Sequence, residues 1–272
     1  TLAAHGNLAG LYADIRNWQA CVSELGQMKD SVGAVGLDAQ VRIADIHAGE
    51  LGQFDSALAM YDRIGTRLIG QDTALRPILL FKRSLVFMEM KRYGEARQAL
   101  SELDRKYHRY FIASPAAQQV KAQSFELDGN WDRAETEYRF LIENFAGTEE
   151  AMQAYLYLGE QFAKRGRTTE SERWMQKAEA YYQQAAERSA GSPIEARALT
   201  YKAEMLRRRN DWEGAATVLT SIFDKFPESE IGRKAVLVAV GLYREKLGRP
   251  DLADSLVTAL RSGLITAEPV AR

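Results

Sequence analysis

The sequence predicts an all-α fold, an α-solenoid of about seven helix–turn–helix repeats, and three observations carry that expectation. Ala, Leu, Glu, Gln and Arg are abundant and only six prolines occur in 272 residues, a composition of helices rather than strands. A bulky residue recurs at Trp18, Phe54, Tyr93, Trp131, Thr168, Trp212 and Pro250, with separations of 36, 39, 38, 37, 44 and 38 residues, and five of these seven are aromatic. Three places beyond each stands a small residue: Cys21, Ala57, Ala96, Ala134, Ser171, Ala215 and Ala253.

Further columns define two helices per unit. Nine residues before each bulky site come Ala9, Asp45, Ser84, Ala122, Gly159, Ala203 and Gly241, small or short throughout, as a close helix–helix approach requires. Seven residues after it stand Leu25, Tyr61, Leu100, Tyr138, Met175, Leu219 and Val257, and ten after it Met28, Ile64, Leu103, Leu141, Ala178, Ile222 and Leu260. Offsets of three, seven and ten trace one face of a helix. Gly52, Gly129, Gly166, Gly248 and Asn210 precede the bulky site, where a residue tolerant of positive φ ends helix A and turns the chain into helix B.

The A helices are expected over 2–16, 37–51, 75–90, 115–128, 149–165, 193–209 and 230–247. The units fall near 1–33, 37–70, 74–110, 114–146, 149–190, 193–227 and 229–262, forming one solenoid over 1–262 with a tail at 263–272. Ser114 before Pro115 and Ser192 before Pro193 place an N-cap residue ahead of proline at the first helical position. Neither helix of a unit can bury its apolar stripe alone, so neighbours must stack.

Three departures stand out. The fifth unit has Thr168 for the aromatic and a spacing of 44, which predicts a helix B about two turns longer and a change of pitch. Arg16 replaces the turn glycine of the first unit and Pro250 the aromatic of the last, as end repeats often differ. The loop 31–36, with Gly33 and Gly36, is expected to be loose.

Composition excludes several functions. With 36 basic and 37 acidic residues the net charge is −1, so no global field draws the chain to nucleic acid or an anionic membrane. The most apolar run, 235–243, is far shorter than the roughly 18 residues needed to cross a bilayer, so direct membrane insertion is not expected. His5, His47 and His108 lie in different units without metal-ligand spacing, and no glycine-rich phosphate loop occurs, so neither metal nor cofactor is called for. Cys21 sits in the small-residue column and reads as a packed thiol rather than a nucleophile. The chain opens at Thr1 without an initiator Met or a signal-like segment, which suggests a mature or excised piece of a longer product.

Gly129, Trp131 and Ala134, like Gly52, Phe54 and Ala57, match the turn and helix B of the tetratricopeptide repeat, and almost the whole chain resembles that family. The resemblance implies a right-handed solenoid that binds other proteins along the groove of its A helices. The loops Asp224–Ser229 and Glu143–Thr148 are similar to inter-repeat loops of bacterial envelope proteins, among them the lipoprotein subunit of the outer-membrane assembly machine. That likeness favours the periplasm or outer-membrane periphery over the cytoplasm. The family's two-carboxylate clamp uses Lys and Asn at fixed helix A positions, and that set is missing here.

Positions eight and twelve residues before the bulky site should face the groove. They are Arg42 and Ile46, Phe81 and Leu85, Gln119 and Gln123, Leu156 and Glu160, then Thr200 and Glu204. The first half, with Met88, suits apolar side chains of an extended segment or helix, unless helix B buries some of these residues. The second half, with Arg197, Arg207 and Arg208 among Glu160 and Glu204, suits a mixed-charge ligand or is a solvated face. The segment 105–111, with Arg105, Tyr107, Arg109 and Phe111, is either a docking spot or a turn whose aromatics fill the adjacent core. The expected function is a non-enzymatic scaffold or adaptor for protein or peptide partners in envelope assembly, with homo-oligomerisation left open. A peptide-responsive regulatory module and a substrate-recruiting accessory domain of a larger enzyme are the alternatives.

Overall fold

A computed structural model describes residues 1–31, 33–68, 74–109 and 114–267, and among these every regular element is helical. The pairs are α1 (Leu2–Asp14) with α2 (Trp18–Gly26), α3 (Ala34–Gly49) with α4 (Phe54–Arg67), and α5 (Leu75–Glu89) with α6 (Tyr93–Lys106). They continue with α7 (Pro115–Leu127) and α8 (Trp131–Asn144), α9 (Glu149–Lys164) and α10 (Thr168–Arg188), α11 (Pro193–Arg208) and α12 (Trp212–Lys225), and α13 (Glu230–Glu245) and α14 (Pro250–Ala267). Each bulky residue of the repeat is the first residue of its helix B.

The turn explains that register. Two places before every bulky residue the backbone takes positive φ, at Gly52, Gly129, Gly166 and Gly248 but also at Arg16 (55°), Lys91 (58°) and Asn210 (60°). The next amide then reaches back to helix A, as Arg92 N–H does to the Phe87 carbonyl at 2.8 Å and Asn130 N–H to Phe125 at 2.8 Å. This closes the C-terminus of helix A. A side chain at left-handed φ costs about 1–2 kcal/mol, partly offset by the greater unfolded-state freedom of glycine. Lys91 is exposed, so Lys91→Gly is expected to stabilise by about 0.5–1 kcal/mol and raise the melting temperature by about 1–3 °C. A thermal melt followed by circular dichroism checks it.

Ser114, Thr148, Ser192 and Ser229 cap α7, α9, α11 and α13, each side-chain oxygen accepting from an amide in the first turn. The loops before α9 and α13 are alike: Thr148 Oγ1 donates to the Phe145 carbonyl at 2.8 Å and Ser229 Oγ to the Phe226 carbonyl at 2.8 Å.

The chain divides into two compact units, Thr1–Glu137 and Tyr138–Arg272. In the first, Tyr61, Ile64, Leu79, Val86 and Phe87 form one apolar cluster, and Ala9, Cys21, Leu25, Ile43 and Ile46 another. In the second, Met152, Leu156, Ala178, Tyr182 and Met205 pack together, next to a cluster around Ala203, Ala215, Leu219, Ile222 and Ala239. All seven members of the small column are buried, from 0% exposure at Ala57 to 8% at Ser171.

Two helix boundaries differ from those expected, and the segment 105–111 takes the second of its two readings at Tyr107. α3 begins at Ala34, three residues early, so Gly36 lies in the helix rather than in the loop; a Cβ on it would lie 2.1 Å from the Ser31 carbonyl oxygen. α14 continues to Ala267, so the residues expected to form a tail begin as helix. In the segment 105–111, α6 ends at Lys106 and Tyr107 packs against the Leu80–Leu100 cluster, while Tyr110 and Phe111 lie outside the described residues. The fifth helix B is long as expected, with 21 residues against 14 in α12.

Glu195 in α11 is a carboxylate only 3% exposed. It accepts from the Lys225 ammonium and, at 2.6 Å, from the Gly191 amide, and these contacts, the lysine first, hold its carboxyl below the usual range. A depressed folded pKa stabilises fully above the unfolded value of about 4.3, and that stability is lost as pH falls through the folded value. Glu195→Gln should cost about 1–3 kcal/mol at neutral pH, and the difference from the parent protein should vanish in acid. Denaturant titrations at several pH values read this directly.

Candidate partner-binding cleft

In the second unit the A helices bound a cleft of about 370 Å³. Leu219 of α12 and Ile231, Ala235 and Val238 of α13 supply its apolar lining, and Tyr201 of α11 adds a half-buried ring. Glu149, Arg197, Glu204, Arg207 and Lys234 add charge of both signs. The helices place these groups by periodicity: Arg197, Thr200, Tyr201, Glu204 and Arg207 recur at three- and four-residue steps along α11.

The charges are mostly tied to one another. Arg207 Nη1 donates to Glu204 at 2.8 Å, and Arg197 Nε lies 3.8 Å from Glu149. The Tyr201 hydroxyl is 3.5 Å from Glu149, and burial followed by that carboxylate pushes its pKa up to about 12. Thr200 is exposed and its hydroxyl donates to the Ala196 carbonyl at 2.8 Å. Lys234 pairs with Glu230 at 2.5 Å, with both side chains 72% exposed, a link that water and salt weaken.

The sequence-predicted positions are only partly brought together. Thr200, Glu204 and Arg207 line the cleft. Arg208 and Glu160 pair with each other beside it, and Arg208 also donates to Glu204 at 2.9 Å. Leu156 does not face a groove: it is 4% exposed, in the core with Ala178 and Tyr182. In the first unit Ile46, 9% exposed, likewise belongs to the core with Ala39 and Ile43. Phe81 is half-buried against Leu80, Leu100 and Val120, as is Met88. Arg42 on α3 and Gln119 and Gln123 on α7 are half-buried and line none of the described clefts. Leu85 stays 39% exposed and borders a second cleft of about 330 Å³ with Asp45, Lys82 and Glu89. There Asp45 accepts from Lys82 at 2.8 Å and from the Tyr61 hydroxyl at 2.6 Å, so the carboxylate is occupied.

The sequence reading missed Ile231, Lys234, Ala235 and Val238. Val238 stands twelve residues before Pro250, so the same rule carried into the seventh unit finds it. Among the described residues no group of three or more His, Cys, Asp or Glu is placed to hold a metal ion, and no helix is long and apolar enough to cross a membrane. Cys21 is buried, and that burial raises its thiol pKa.

A stack of helix pairs with open clefts between A helices is the architecture of a helical-repeat interaction protein. The sequence pattern of the tetratricopeptide repeat family matches residues 121–180 and 176–230. Residues 121–230 are thus similar to tetratricopeptide repeats, and such repeats generally mediate protein–protein contacts. No curated protein matches the sequence. Among solved structures, MamA 41-end from Desulfovibrio magneticus RS-1 is similar at 12% identity and a TM-score of 0.48, over 70% of this chain and 97% of that one. A tetratricopeptide repeat protein from Parabacteroides merdae ATCC 43184 aligns at 13% identity and 0.43, over 88% and 98%. BtubC (BKLC) from P. vanneervenii aligns at 12% and 0.40, over 100% and 93%. At this level of similarity none of the three bears on function.

Proposed function

We propose that the chain is a non-catalytic scaffold that holds partner proteins, and that the cleft of the second unit takes an extended partner segment. The observation that carries this reading is the pairing of an apolar lining at Ile231, Ala235 and Val238 with cations at Arg197 and Lys234. About 370 Å³ admits one or two side chains rather than a large cofactor. An apolar side chain would enter against Val238, and a neighbouring acidic residue would exchange for the solvated contacts of Arg197 and Lys234. The envelope-like loops at 143–148 and 224–229 support a place in the bacterial cell envelope.

Val238 is 38% exposed, so Val238→Glu should leave helicity intact while removing partner capture. Pull-down from envelope extract should fall more than about tenfold, which is 1.4 kcal/mol. Arg197→Glu should weaken capture mainly at low salt. Equal capture by all three proteins, or capture from cytosolic extract alone, overturns the site or the compartment respectively.

A further inference from the structure

A cationic cleft of about 460 Å³ lies in the first unit between two B helices, α2 and α4, with α3 as its floor. Arg63 and Arg67 of α4 form one wall, and Lys29, just beyond α2, stands on the other. None of the three pairs with a carboxylate among the described residues. Two acidic groups of the same helices are engaged elsewhere, Asp62 with Arg83 at 3.1 Å and Glu24 with His5 at 2.7 Å. Asp30 supplies the carboxylate of the lining, so cations outnumber anions there. Arg63 and Arg67 are one helical turn apart, where like charges repel and weaken a helix, and the fold keeps them together. Gln40 of α3, only 9% exposed, ties the walls: its amide nitrogen donates to the Lys29 carbonyl at 2.5 Å and its oxygen lies 3.5 Å from Arg67 Nη1. The walls are thus set before a ligand arrives.

The spacing of these groups selects the occupant. Arg63 and Arg67 stand about 6 Å apart along the helix axis, at 1.5 Å per residue. Alternate side chains on one side of an extended chain recur at about 6.6–6.8 Å. Two acidic residues separated by one other therefore meet the two guanidiniums in step, and each carboxylate can accept a forked pair of hydrogen bonds. Val22, Ile43 and Met60 add apolar lining against which the methylene stems can rest. A lone phosphate would fill a small part of the 460 Å³ and leave that lining wet. We propose that this cleft is a second docking site, for an extended partner segment with acidic residues at alternate positions. It is built from other residues than the cleft of the second unit and does not rest on that reading.

Fluorescence anisotropy on the whole chain tests this with a labelled peptide, Gly-Glu-Ala-Glu-Ala-Gly. Its controls are the same peptide with glutamine for both glutamates and one with the two glutamates adjacent. The first peptide should bind with a dissociation constant below about 1 mM at low salt and weaken as salt rises. The glutamine control should bind at least about tenfold more weakly, and the adjacent pair should also bind less well. Arg63→Gln with Arg67→Gln should cost at least about tenfold in affinity with unchanged helicity. Arg133→Gln with Arg173→Gln, the same change of charge at exposed residues of α8 and α10, should leave binding unchanged. Val238→Glu should leave it unchanged as well, so the two clefts are read separately. No saturable binding, equal binding of both glutamate spacings, an equal loss with the α8 and α10 pair, or displacement by inorganic phosphate at the peptide's own concentration would each overturn the proposal.

Discussion

Tyr182→Ala should lower the stability of the second unit by about 3–5 kcal/mol, the range for removing a large buried ring. Tyr182 is 0% exposed on the long helix α10. Its hydroxyl donates to the Met152 carbonyl at 2.7 Å, and its ring stacks on Tyr201 at 5.9 Å and meets Tyr155 edge-on at 6.5 Å. Alanine would lose the packing, leave a cavity and strand the carbonyl. Tyr182→Phe keeps the ring and forfeits only the hydrogen bond, so about 1 kcal/mol is expected. The pair of variants separates cavity from hydrogen bond. With about 2–4 °C per kcal/mol for a unit of this size, the alanine variant should melt about 10 °C lower. Equal melting of parent and alanine variant would show that the two added turns of α10 carry no core.

Ala134→Trp should be comparably damaging through overpacking. Ala134 is 0% exposed on α8, and Ala122 of the facing helix α7 is also 0% exposed, so the two backbones approach with no room for an indole. Small-to-large changes in packed cores usually cost about 1–3 kcal/mol, and a tryptophan at a helix crossing exceeds that range because the helices themselves must part. Arg133→Trp, one residue away and exposed, is the control and should melt within about 2 °C of the parent. Matching melts for the two variants would mean that the column does not mark a helix contact.

Much of the fold is legible because it is set by local rules repeated seven times. Trp18, Phe54 and their counterparts all open a helix B, and Ser114 and Ser192 cap the helices that their prolines start. The turns were only partly legible. Lys91 and Arg16 adopt the same positive φ as the glycines, since closing the helix outweighs a local penalty of about 1–2 kcal/mol. The cleft was harder. Ile46 and Leu156 occupy the same helical phase as Arg42 and Glu160, yet neighbouring repeats bury them. The missed lining at Ile231, Lys234 and Ala235 belongs to an A helix whose periodicity shows its apolar face without showing what stands opposite.

The sequence by itself determined the all-α class, the seven units, the register of each A–B pair, the buried small column and the lengthened α10. These depend on residues close together along the chain, where helical period and turn chemistry suffice. Only the tertiary structure decided which apolar positions stay open and which charges are already paired: Val238 exposed, Ile46 and Leu156 buried, Arg208 joined to Glu160 and Glu204. The physical reason is that exposure and pairing belong to the neighbour as much as to the residue. A period fixes the direction of a side chain on its own helix, whereas the helix that covers it, or fails to, lies some forty residues away.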